Sequence, residues 1–361
     1  DLHLSRGLGD VYKRQGDLLG NKILKTLNEQ FDEVEVVGIG GGELLNCGVD
    51  AERSLLKIMG LVDPLKNYSK IKNFQKQLIK NFTDEKIDVF IGIDSPDFNI
   101  GIHRALQKLG IRTIHVVCPS IWAWRAGRAK NFKFIDYMLC LFPFEPELCS
   151  NVTNLAMYVG HPLFDKKHEY QSQNKENIVC LMPGSRASEI KHNLSVMIDA
   201  FCEFNQTKNF KAIIPVYDAD SKALIENILP AQENIDVVQT KSSEVLKIAK
   251  IAVMCSGTAT LEGLISETPT TIIYKTNFLN YVIYKSMMTT KYVGLPNIIA
   301  GKEIFTELIQ HDANVDNIVE DMKANLSNND EKNHHLKQIN TSLEATDFSS
   351  FAVKLYEDCR G

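Results

Sequence analysis

Short apolar runs alternate with amphipathic segments along most of this chain, and the alternation occurs twice. The first series of runs is "VEVVGIG" (34–40), "IDVFIGID" (87–94), "IRTIHVV" (111–117) and "YMLCLF" (137–142). The second is "IVCLM" (178–182), "FKAIIPV" (210–216), "IDVVQ" (235–239), "IAVMCS" (251–256) and "PTTIIY" (269–274). Helical spacing marks 64–82, 98–110, 188–204, 220–229, 242–250 and 258–267 between them. A strand that is apolar on both faces must be covered on both faces, and parallel strands need a crossover, usually a helix. The pattern therefore predicts an α/β protein of two Rossmann-like doubly wound domains facing across a cleft. In such sheets ligands bind beyond the carboxyl ends of the strands.

A length of 361 residues suits two such domains. The polar stretch "DKKHEYQSQNKEN" (165–177) reads as the linker between them, which divides the chain into domains 16–165 and 166–345. A final helix over 346–361 is expected to pack back on the first domain. The opening "DLHLSRGLGDVYKRQ" (1–15) has neither strand alternation nor helical period, and is expected to be a non-native or disordered start. From Gly16, "GDLLGNKILKTLNEQF" is amphipathic, with Leu18, Leu19, Ile23, Leu24 and Leu27 on one side. The remainder after 274 reads as helical.

A net charge of −5 argues against nucleic acid as a partner. Eight cysteines without a C-x-x-C pair, mostly in apolar runs, are expected to be buried reduced thiols rather than a disulfide framework or a zinc site. No apolar run approaches the roughly 20 residues of a spanning helix, and no signal peptide is present, so membrane contact is expected to be peripheral.

Chemistry is sought where strands end. "GIDSPDFN" places Asp94 at the carboxyl end of a buried strand, a position suited to a general base. Asp97 starts the following helix, as its N-cap or as a second cleft carboxylate. In "PGSRASEI", Gly184 and Ser185 open a turn whose N–H groups can hold a phosphate, and Arg186 adds a planar cation. "SGTATLEG" offers Ser256, Gly257 and Thr258 as a second anion-binding turn or a plain N-cap, with Glu262 in reach of a ribose diol. Two such turns together suggest a nucleoside diphosphate. Asn297, in "GLPNIIAG", is read as a ligand contact or a simple turn. "GIGGGELLNCG" fails the dinucleotide spacing, which discounts a nicotinamide cofactor. The basic segment with Lys66, Lys70, Lys72, Lys76 and Lys80 suits an anionic bilayer, or is an ordinary solvated face. Both tryptophans fall in "PSIWAWRAGR" (119–128), just after a strand.

Taken together, "GIDSPDFN", "PSIWAWRAGR", "CLFPFEPE", "GHPLFD", "LMPGSRASEI", "CSGTATLE" and "YVGLPNIIAG" resemble the lipid-A-disaccharide synthase family from Gly16 to about residue 310. The resemblance implies a GT-B fold and an inverting, metal-independent glycosyltransferase without cofactor, at the cytoplasmic face of the bacterial inner membrane. It implies UDP-2,3-diacylglucosamine as donor, 2,3-diacylglucosamine 1-phosphate as acceptor, and a β-1,6 disaccharide with UDP as products. By the same resemblance Asp94 is the base for the acceptor's 6-hydroxyl and Arg186 meets the UDP diphosphate. Gly184, Ser185, Ser256, Gly257, Thr258, Glu262 and Asn297 then belong to the donor site. Asp17, Asp97, Trp122, Trp124, Arg125 and Arg128 belong to the acceptor side, and a homodimer is compatible. The family's opening strand and Gly-Glu-x-Ser-Gly-Asp segment are matched only by Gly16 and Asp17. That departure motivates two competing readings, a UDP-sugar epimerase or soluble-acceptor transferase, and a UDP-binding protein without turnover.

Overall fold

The computed structural model describes residues 8–40, 49–50, 68–121, 126–149, 153, 155–170, 174–229, 233–277, 281, 285, 290–327, 329–343 and 345–360. The chain forms two compact units, Asp1–Pro162 with Glu344–Gly361, and Leu163–Leu343.

The first unit begins with α1 (Leu8–Gln30), followed by β1 (Gly38–Ile39), which pairs in parallel with β2 (Val49–Asp50). Then come α2 (Tyr68–Asp84), β3 (Val89–Ile93), α3 (Pro96–Gln107), β4 (Arg112–Val116), a 3-10 run Ala126–Phe134, β5 (Tyr137–Cys140), a short helix Glu145–Cys149 and β6 (Leu155–Tyr158). Strands β3-β4-β5-β6 form one parallel sheet in that order. One side of the sheet is covered by Leu19, Ile23 and Leu27 of α1, together with Phe351, Ala352 and Leu355 of the C-terminal helix Ser349–Arg360. Phe31 and Tyr356 meet edge to face with centroids 5.2 Å apart. Phe74, Leu78 and Phe82 of α2 pack with Phe90, Ile102 and Leu106 in a separate cluster.

Several expectations change here. The helix expected from residue 16 starts at Leu8, so residues 8–15 form its first turns instead of lying outside the fold. That stretch contains no proline, and each residue added to an existing helix gains a backbone bond at little further cost. Leu18 is 53% exposed while its neighbour Leu19 is buried, because adjacent helical positions point about 100° apart. The strand expected over 34–40 contracts to the two residues of β1. The helix expected over 64–82 is described as Tyr68–Asp84, with residues 64–67 outside the described set.

The second unit runs β7 (Glu176–Met182), α4 (Ala187–Asn205), β8 (Lys211–Val216), α5 (Ala219–Ile228), β9 (Ile235–Gln239), helix Ser242–Leu246, β10 (Ala249–Cys255), α6 (Ala259–Ile265), β11 (Thr270–Tyr274), helix Leu295–Ala300, β12 (Thr306–Ile309), α7 (Val315–Ser327) and α8 (Asn329–Ser342). Its parallel sheet has the order β12-β11-β10-β7-β8-β9. Chain direction across the sheet therefore reverses between β7 and β10, the switch point of a doubly wound fold. Val179, Leu181, Ile251 and Val253 fill the middle of this sheet against Leu194, Met197 and Phe201 of α4 and Ile318 and Met322 of α7. β12 corrects the expectation that everything after 274 is helical. It is tied down by Asp321 of α7, whose carboxylate accepts from Thr271 Oγ1 at 2.5 Å and Thr306 Oγ1 at 2.6 Å.

A pair of buried histidines joins α3 to β4 in the first unit. His103 Nε2 lies 3.0 Å from His115 Nδ1, and the outer nitrogens of both rings meet no partner. Burial pushes His103 down to about 2, helped by the neighbouring His115, and burial alone pushes His115 down to about 4. Both are neutral when folded, whereas an unfolded histidine takes a proton near pH 6.5. Their contribution to stability is complete above pH 6.5 and is lost as the pH falls, down to about 4 for His115 and on to about 2 for His103. Urea unfolding at pH 7.5 and pH 5.5 should differ by about 2–3 kcal/mol from this pair, and most of that difference should vanish in a H103Q/H115Q variant.

Candidate functional site

In the first unit, β3 ends in a strained turn. Asp94 and Ser95 both adopt left-handed backbone conformations, with φ of 52° and 44°. Non-glycine residues held there cost of order 1–3 kcal/mol each. The turn persists because neighbours over-determine it. The Asp94 N–H donates to the Val116 carbonyl at 2.9 Å, and Asn99 Nδ2 donates to the Asp94 carbonyl at 2.7 Å. Pro96 then opens α3, and the Phe98 and Asn99 amides both return to the Ser95 carbonyl. Asn99 and His103 fit only because residue 92 is glycine; a β-carbon there would lie 2.9 Å from His103 Nε2 and 3.0 Å from Asn99 Cγ. The turn leaves the Asp94 carboxyl half-buried. Burial pushes it above the usual carboxylate range, while a hydrogen bond from the Ser95 amide opposes this.

Asp97 is exposed in the first turn of α3, and the N-cap is Ser95 rather than Asp97. A depression of about 170 Å³ lies beside it, lined by Pro96, Asp97, Ile100, Pro119, Asn131 and Phe132. Asp17 is half-buried on α1, and a β-carbon on the preceding Gly16 would meet Ile93 Cγ2 at 3.8 Å, which puts this part of α1 beside the end of β3. Trp122, Trp124, Arg125 and the side chain of Arg128 lie outside the described residues. So do Lys66 and the side chain of Lys70, whereas Lys72, Lys76 and Lys80 are exposed. The apolar side of α2 is buried in the core, so only its lysine face is left to meet another surface.

In the second unit the sequence-predicted residues converge on the switch point. β7 and β10 are hydrogen-bonded neighbours, so the turn 184–186 stands beside the turn 256–258. Gly184 has φ of 120°, and a β-carbon there would lie 2.5 Å from Glu189 Cβ. The amides of Ser185 and Arg186, expected to face a phosphate, donate instead to Glu189 Oε2 at 3.0 and 3.2 Å. Arg186 Nη1 pairs with Glu189 Oε1 at 2.8 Å, and Arg186 Nε is buried without a partner. A carboxylate of the chain itself thus fills an anion site of two amides and a guanidinium. Glu189 lies three residues after the N-cap Arg186, and because that position holds no Ser, Thr, Asp or Asn the sequence carries no ordinary capping signature for it.

The other donor-side expectations fare differently. Ser256 Oγ donates to the Val293 carbonyl at 3.0 Å, and Thr258 precedes α6 without a side-chain cap. Glu262 Oε2 accepts from Ser242 Oγ and, at 3.2 Å, from Tyr170 OH; burial raises its pKa and these two bonds oppose the rise. Asn297 is engaged internally. Its side chain is buried and all four hydrogen-bonding positions are taken, Nδ2 by Phe305 O and Glu307 Oε1 at 2.7 Å each, Oδ1 by the Ile304 and Phe305 amides at 2.8 and 2.9 Å. It fastens helix Leu295–Ala300 to the start of β12, and Glu307 extends the clamp to the Val293 and Gly294 amides.

The cysteines show an arrangement that spacing along the chain does not reveal. Cys118, Cys140 and Cys149 are buried as expected, but their sulfurs converge within 4.8 Å of one another.

Two parallel α/β units, the second with cationic and small-residue turns at its switch point, have the GT-B architecture. MurG from Acinetobacter baumannii shares the architecture at a TM-score of 0.57, covering 94% of this chain and 95% of that one, at 12% identity that speaks to the fold alone. The chain belongs to the lipid-A-disaccharide synthase family: the family model described as lipid-A-disaccharide synthetase matches residues 11–355. It is similar to the lipid-A-disaccharide synthase of Methylobacillus flagellatus, 34% identical over 86% of this chain and 87% of that protein. The synthase of Burkholderia thailandensis is 36% identical over 82% and 81%.

The clamp role of Asn297 makes a separable prediction. Asn297→Ala strands buried amides and carbonyls, each worth about 1–3 kcal/mol, and should lower unfolding free energy by at least about 3 kcal/mol. The UDP dissociation constant of the folded fraction should stay within about twofold, read by calorimetric titration. Unchanged stability with lost UDP binding would return Asn297 to the ligand site.

Proposed function

We propose that the chain transfers the diacylglucosamine of UDP-2,3-diacylglucosamine to the 6-hydroxyl of 2,3-diacylglucosamine 1-phosphate. Asp94 takes the hydroxyl proton as the oxygen attacks the anomeric carbon, and the bond to UDP breaks in the same displacement. Family membership supports the reaction, and the carboxylate on the strained turn after β3 is the observation that carries the assignment of the base. One displacement needs one base, and a carboxyl raised by burial is a stronger base than an exposed one.

The donor's diphosphate is proposed to take the place that Glu189 now holds. An anion that displaces the Glu189 carboxylate gains the Ser185 and Arg186 amides and a guanidinium fork, all charge-assisted contacts. Glu262, between Ser242 and Tyr170, is proposed to reach the ribose. Among the described residues no helix is long and apolar enough to cross a membrane. Contact with an anionic inner-membrane surface, where the lipid substrates reside, is therefore proposed to run through the exposed lysines 72, 76 and 80 of α2.

UDP release from the purified chain, with and without acceptor, tests the reading. Release should require acceptor, and Asp94→Asn should cut kcat about 10²–10⁴-fold with UDP affinity retained. Arg186→Gln should instead weaken UDP binding about tenfold or more. Acceptor-independent release, or an active Asp94→Asn variant, would overturn the mechanism.

A further inference from the structure

Three elements of the first unit each send one cysteine to the same point. Cys118 follows the end of β4, Cys140 is the last residue of β5, and Cys149 ends the helix Glu145–Cys149. All three are buried, in a cluster with Ile121, Phe132, Ile135 and Met138. Cys118 Sγ and Cys149 Sγ are 3.4 Å apart, and all three sulfurs lie within 4.8 Å of each other. Three thiolates around one ion at about 2.3 Å in a plane stand about 4.0 Å apart, so the trio needs adjustments of only about half an ångström to take an ion.

We propose that Cys118, Cys140 and Cys149 form a three-sulfur site for a thiophilic d¹⁰ cation, copper(I) being the best match. Among the described residues no fourth histidine, cysteine or carboxylate joins the group. Zinc in a closed structural site demands four ligands, whereas a soft monovalent ion is satisfied by thiolates alone. The surroundings favour a cation. Glu145 is buried, accepts from the Leu141 and Phe142 amides at 3.0 and 3.1 Å, and acts electrostatically on both Cys118 and Cys140. Binding replaces thiol protons by the metal and releases them to solvent. The ion would tie the base of the segment 119–128 to β5 and to helix Glu145–Cys149, stiffening the wall of the depression beside Asp97.

The test is titration of the reduced full chain with copper(I) held by a colorimetric chelator. One copper per chain should transfer, with a new thiolate-to-copper charge-transfer band in the near ultraviolet. Cys149→Ser and Cys118→Ser should each weaken uptake about 10–100-fold, and Cys202→Ser, at an exposed position, should not. Should the buried variants fail to fold, mass-spectrometric mapping of alkylation in the wild type replaces them: copper must protect cysteines 118, 140 and 149 and leave Cys202 reactive. No transfer, transfer that survives loss of Cys118 and Cys149, or a Cys118–Cys149 disulfide in a chain whose reduced form takes no copper would overturn the proposal.

Discussion

The parallel pairing of β7 with β10 is the contact on which the second unit depends. Its register sets Val179 against Ile251, Leu181 against Val253 and Met182 against Met254, so the two strands end together. Because the sheet order reverses at this pair, no crossover helix covers the gap, and the Ser185 and Arg186 amides of the turn after β7 find no strand partner. An unfilled nest of N–H groups beside a guanidinium is costly. Glu189, one turn into α4, offsets that cost with its own carboxylate. The same geometry that lets the chain fold without ligand fits the proposed donor, whose diphosphate would compete with one carboxylate for two amides and an arginine.

The first unit holds its chemistry differently, through strain. β3 and β4 end with Ile93 opposite Val116, and both strands leave the sheet through left-handed residues, Asp94 and Ser95 on one side and Val117 on the other, with φ of 76° for Val117. A β-branched residue seldom accepts that conformation. Interlocking bonds keep it in place: Asp94 N–H to Val116, Val117 N–H to Leu139, and the Asn99 amide to Asp94. Beneath them the neutral His103–His115 pair and Gly92 let α3 sit close on β3 and β4. A carboxylate mounted this way moves little, which suits a base that must meet a hydroxyl at one angle.

Much of this was legible in the sequence, and the failures have physical causes. Strands β3, β4, β7, β8 and β10 declared themselves because each carries a short, mostly apolar run bounded by amphipathic segments. β6 and β12 are short, and β12 carries Glu307 in mid-strand, so their backbone pairing had no matching side-chain pattern. Asn297 resembled a ligand contact because a Gly-x-Pro-Asn turn looks the same whether its amide faces solvent or, as here, four internal partners. Glu189 gave no sequence signal because the N-cap residue three before it is Arg186, its own ion-pair partner, rather than a Ser, Thr, Asp or Asn. The cysteine trio was beyond sequence reading altogether, since only the sheet brings residues 118, 140 and 149 together.

The account stands or falls on Asp94 acting as an ionised base raised by its surroundings. The pH dependence of kcat/KM for acceptor-dependent UDP release measures this most directly, because its acid limb reports the base of the free enzyme. Burial of Asp94 predicts that activity rises with pH through a midpoint clearly above 3.8, the ordinary aspartate value. A limb centred at or below that value, or a rate that stays flat as the solution is acidified through it, would contradict the account.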